Sequence, residues 1–123
     1  MTLTEFYIEV EGSYQDALSR LMNDRLITKF VLKFKNDPSF ETLKAALAED
    51  RTDDAFAAAH TLKGVALNLA FTKLGTLAAA LTDFLRPQNR TAYVPETARA
   101  MFDEVALAYA QTTDAIDRFA ASL

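Results

Sequence analysis

Only three glycines and three prolines punctuate the 123 residues of this chain, and that scarcity of turn-forming residues constrains its fold more than any other feature. Gly and Pro end helices and build tight turns, so a chain almost without them, rich in Ala, Leu and Phe, reads as long stretches of helix. Half of the residues are hydrophobic and 24% are charged, the balance of a globular domain with a core. The length suits one domain and is too short for two ordinary ones. The expected fold class is all-α: an antiparallel four-helix bundle over residues 24–123, with additional short N-terminal helices in residues 1–23 covering one end.

Apolar spacing marks the elements. Leu3, Phe6, Tyr7 and Val10 predict a first short helix. Gly12-Ser13 breaks it, and Ser13 is a plausible N-cap for a second helix over Tyr14–Met22. Asn23-Asp24 precedes an amphipathic stretch, Arg25–Lys35, with Leu26, Ile27, Phe30, Val31 and Phe34 on one stripe. Asn36-Asp37-Pro38 stops that helix and starts the next, since Asp can cap and Pro fits the first helical position. Thr52 is a candidate N-cap for a helix reaching about Phe71. Helices over Thr72–Leu85 and from Pro95 nearly to the end follow, separated by the loop Arg86-Pro87-Gln88-Asn89-Arg90.

Composition excludes several functions. The net charge of −4 is scattered along the chain, whereas nucleic-acid binding requires clustered Lys and Arg. Without cysteine there is neither a disulfide framework nor a thiolate metal site, and one His offers too few ligands for metal or haem. No window approaches the roughly 20 apolar residues of a membrane span, and Met1-Thr2-Leu3-Thr4-Glu5 lacks the basic flank of a signal peptide. A cytoplasmic protein is expected.

Chemistry converges on the single histidine. With about 100° of turn per residue, Ala55, Ala59, Leu62, Val65, Ala66 and Leu69 share the apolar side of the 52–71 helix. His60 points nearly opposite. Lys63 and Gly64 lie one turn on, flanking it. A core role for His60 fails on phase, which leaves an incidental surface residue or a reactive one. Gly64 favours the second, because a mid-helix Gly costs about 1 kcal/mol against Ala and this Ala-rich helix has no local reason to accept it. Lys63 offers an ammonium to an anion on the imidazole, although an exposed helix lysine is ordinarily just solvated.

Ala59-His60-Thr61-Leu62-Lys63-Gly64 resembles the signature of histidine-containing phosphotransfer (HPt) domains, the intermediate carriers of two-component phosphorelays. The Leu69 and Leu74 spacing and the upstream Phe34-Lys35-Asn36-Asp37-Pro38-Ser39-Phe40 and Leu43 extend the likeness over roughly residues 12 to 85, with the last helix similar only in character. The resemblance implies that His60 is phosphorylated through Nε2, that Lys63 steadies the phosphoryl group, and that Gly64 keeps space beside the imidazole. It implies response-regulator receiver domains and a hybrid histidine kinase as partners, with Mg²⁺ supplied by the receiver and no cofactor or metal held by this chain. One departure stands at Ala70, where relatives often have Gly.

Phe56, Ala57, Leu67 and Phe71 fall within about a quarter-turn of His60 on the same wheel. Either they form an apolar docking patch, or neighbouring helices partly cover Phe56 and Phe71; solvent accessibility separates the two. A monomer is expected, since no long heptad seam is present. Two rivals remain. A histidine-kinase dimerisation domain typically carries an acidic residue after its His, where Thr61 stands here, and no ATP-binding domain follows, so autonomous kinase activity is not expected. A helical adaptor without phosphoryl chemistry would make His60 incidental and Gly64 a matter of stability alone.

Overall fold

The computed structural model describes residues 1–123, and every regular element in it is helical. Seven α-helices follow one another: α1 (Leu3–Glu9), α2 (Tyr14–Leu21), α3 (Asp24–Lys33), α4 (Ser39–Ala48), α5 (Thr52–Asn68), α6 (Thr72–Leu85) and α7 (Pro95–Ala121). Short 3₁₀ turns over Phe34–Asn36 and Pro87–Ala92 extend α3 and bridge α6 to α7.

Side-chain caps start the first four helices where short polar residues precede apolar ones. Thr2 and Glu5 form a reciprocal capping box on α1. Ser13 Oγ accepts the Asp16 N–H at 3.1 Å, and Asn23 Oδ1 accepts the Leu26 N–H at 2.9 Å. Asp37 Oδ1 accepts the Ser39 N–H at 2.9 Å and so opens α4. The expected cap at Thr52 is not one: Thr52 is already helical, and α5 begins without a side-chain cap. Asp53 and Asp54 in its first turn complement the partial positive charge there instead.

α5 is the central element, packed against α4 on one side and α6 on the other, while α6 also packs against α7. Its contact with α6 depends on Gly75, where a methyl group would overlap the Leu67 side chain. The inward side of α5 presents Ala55, Ala58, Ala59, Leu62 and Ala66, all buried. These mostly small residues let the neighbouring helices approach closely. Across the bundle, Phe40 stacks on Tyr109 with ring centroids 3.9 Å apart.

The end of α5 differs from the expectation. The helix stops at Asn68, and Ala70 takes the left-handed conformation at φ 59°. The Phe71 N–H reaches back to the Ala66 carbonyl at 2.9 Å and the Ala70 N–H to that of Leu67 at 3.0 Å, a Schellman-type close. A β-carbon in this conformation costs about 1–2 kcal/mol, the strain that glycine at this position would avoid. Ala70 is held there by long-range contacts. Its carbonyl accepts the Ser13 N–H at 3.0 Å, and Gly12 lies so close that a methyl on it would collide with that carbonyl. The Tyr7 hydroxyl donates to the Leu69 carbonyl at 2.8 Å, and Arg20 Nη1 donates to that of Leu67 at 2.5 Å. Burial pushes the Tyr7 phenol well above its usual titration range, so it remains a donor. The N-terminal helices thus tie down the α5–α6 turn, and ion pairs of Glu9 with Arg118 and Glu11 with Lys73 fasten α1 and the residues after it to α7 and α6.

Candidate functional site

His60 sits in the middle of α5 and its side chain is exposed. The flanking turns are Ala-rich and propagate helix without interruption, so the imidazole projects from a rigid rod rather than from a loop. Neither ring nitrogen has a hydrogen-bond partner within the chain. A neutral imidazole in that state keeps one lone pair available to an electrophile.

Lys63 is half-buried one turn further on, and its ammonium lies in no ion pair. Seven of the thirteen Lys and Arg side chains are paired with carboxylates; Lys63 is among the six that are not, and its spacing along α5 puts that charge on the His60 face. Gly64 is exposed, and a methyl group on it would meet nothing within 4 Å. Packing inside the chain therefore does not require glycine there.

Open clefts border this face. One, of about 500 Å³, separates Gly64, Val65 and Asn68 from Phe30, Lys33 and Phe34. The other, of about 350 Å³, runs beside Ala57 and Thr61 and is closed by Pro38, Thr42 and Arg51. Asp37 lines both. At the rim the Arg51 guanidinium donates to Glu49 at 2.5 Å and to Asp54 at 2.7 Å. The Thr61 hydroxyl is spent on the Ala57 carbonyl at 3.0 Å and does not point a donor at His60.

The four expected docking residues separate. Ala57 and Leu67 are exposed, Leu67 at 37%, and Phe56 is half-buried. Phe71 is fully buried, and a docking role for it is corrected here. Its assignment to the His60 face assumed that α5 continues to Phe71. The left-handed turn at Ala70 instead swings that ring into the core, 5.1 Å from Phe34 and 5.8 Å from Phe6 between centroids.

Sequence reasoning missed one neighbour entirely. The Arg86 guanidinium, anchored by Asp83 at 2.9 Å, lies over the Phe56 ring at 5.7 Å. No local pattern connects a residue after α6 with one early in α5; only the packing of the two helices brings them together.

A family model described as the Hpt domain matches residues 33–122. The match therefore takes in α7, where the motif resemblance is one of character only, and omits α1, α2 and nearly all of α3. No curated protein and no solved structure matches the chain.

Proposed function

Because the chain belongs to the Hpt domain family, whose members carry phosphoryl groups on histidine in two-component phosphorelays, we propose that His60 is the carrier residue. In this reading it takes the phosphoryl group from the aspartate of one receiver domain and passes it to another. His60 Nε2 directs its lone pair at the phosphorus of an aspartyl phosphate. The N–P bond forms as the aspartyl O–P bond breaks, and the aspartate leaves as a carboxylate. The same step run backwards loads the second receiver. Such transfers depend on positioning and on neutralising spread negative charge, not on an elaborate set of catalytic groups.

Lys63 supplies charge to the phosphoryl oxygens, and Gly64 leaves room for the incoming receiver. Ala57, Leu67 and the exposed part of Phe56 form the docking surface around them. No three His, Asp or Glu side chains gather in this chain; in this reading the Mg²⁺ of the transfer is held by acidic residues of the receiver. A hybrid histidine kinase feeds the relay, and this chain has no kinase activity of its own. We further read α4 to α7 as an antiparallel four-helix bundle, on the strength of their short connections and mutual packing. No helix is long and apolar enough to cross a membrane. We place the domain in the cytoplasm as a monomer.

One observation carries this reading: an exposed imidazole without a partner lies beside a glycine that the chain's own packing does not need. The test is incubation with a phosphorylated receiver and Mg²⁺. Acid-labile, base-stable phosphate should appear on this chain and be absent from His60→Gln. Phosphate that persists on His60→Gln contradicts the assignment.

A further inference from the structure

An imidazole on an exposed helix face is free to sample several rotamers, and transfer needs it in one of them. In most buried histidines a hydrogen bond to one nitrogen fixes the ring. His60 has no such bond. Its aromatic neighbour is Phe56, one turn earlier on α5: the ring centroids are 6.1 Å apart and the planes 23° from parallel. That separation falls within the range of about 4.5–7 Å over which ring pairs attract beyond simple burial. Phe56 is itself held. It is half-buried, and the Arg86 guanidinium over its ring, anchored by Asp83, adds a cation–π contact at 5.7 Å.

We propose that Phe56 is a positioning residue for His60: with Arg86 holding it in place, its ring aligns the imidazole with an incoming phosphoryl group. The proposal rests on the carrier reading of His60 and replaces a purely docking role for Phe56. A planar ring is required, because an aliphatic side chain of similar bulk preserves apolar contact but has no face to stack.

Two phosphoryl donors separate alignment from docking. The first is a phosphorylated receiver with Mg²⁺. The second is a small phosphoramidate salt, which presents no protein surface. In that reaction the His60 N–P bond forms, the reagent's P–N bond breaks, and ammonia leaves. Phe56→Leu should react about two- to tenfold more slowly with both donors, the fold-change equivalent of the 0.5–1.5 kcal/mol attributed to ring pairs. Three-bond couplings should show the His60 side chain spread over more rotamers, while helicity and melting temperature hold. Phe56→Tyr should restore both the rate and the rotamer preference. Arg86→Met should slow both reactions in the same direction by about twofold.

Equal phosphoramidate rates for the unmodified chain and Phe56→Leu would overturn the proposal and leave the carrier reading intact. Slowing with the receiver donor alone would return Phe56 to docking and overturn it as well. If the unmodified chain takes phosphate from neither donor, the carrier reading itself fails and takes the proposal with it.

Discussion

Gly75 and Gly64 lie on neighbouring helices that pack against each other, yet a methyl group has opposite consequences at the two. At Gly75, on α6, it would overlap the Leu67 side chain. At Gly64, on α5, it would enter open space. Where α5 and α6 meet, glycine lets the two helices touch, and one turn after His60 it stands where the bundle gains nothing. A residue that costs helix stability and returns no packing points to something outside the chain. The same division runs through the polar groups. The carbonyls ending α5 are taken by Tyr7, Arg20 and Ser13, whereas the His60 nitrogens and the Lys63 ammonium have no partner.

The largest effect that sharpens this contrast is at Phe71, now assigned to the interior. Phe71→Ala should destabilise the fold by about 3–5 kcal/mol, the usual cost of emptying a buried aromatic site. Denaturant titration measures it, and a loss under 1 kcal/mol would return Phe71 to the surface. Gly75→Ala should cost about 1–3 kcal/mol, as overpacking between close helices does. Gly64→Ala should do the reverse, stabilising by about 0.5–1 kcal/mol because Ala is the better helix former and meets no neighbour. Thermal melts of the two variants should therefore move in opposite directions; shifts of one sign would break the comparison.

The smallest effect concerns pH. Hydrogen bonds from Arg118 to Glu9, and from Lys73 and then Gln111 to Glu11, hold both carboxyls below their ordinary 4.5. A folded-state value below the unfolded one stabilises above about 4.5 and is lost as pH falls through the lowered folded value. These pairs are at the surface, so the loss should be slight. Amide protection factors in α1, corrected for the intrinsic slowing of exchange in acid, should fall before those in α5 and α6 do. A simultaneous fall throughout would deny α1 its separate fastening.

Much of this organisation can be read from local patterns. Ser13 and Asn23 cap where short polar residues precede amphipathic stretches, and the bounds of α6 follow from its Leu spacing between Thr72 and Leu85. The phase of α5 places His60 opposite the Ala55–Leu62–Ala66 side without any tertiary information. Local patterns fail where distant segments decide. Ala70 adopts a conformation its own side chain disfavours, stabilised by Ser13 and Gly12 from nearly sixty residues earlier. That turn is what carries Phe71 off the wheel and into the core. Arg86 over Phe56 is invisible for the same reason, since it depends on how α5 meets the end of α6.

The claim that Gly64 is kept for a partner protein and not for the fold is tested most directly in Gly64→Gln, by the ratio of its phosphorylation rates with a receiver donor and with a small phosphoramidate. The account predicts a folded variant that still takes phosphate from the small reagent while transfer from the receiver falls at least tenfold, roughly the effect of misplacing the reacting groups. Undiminished transfer from the receiver would contradict it.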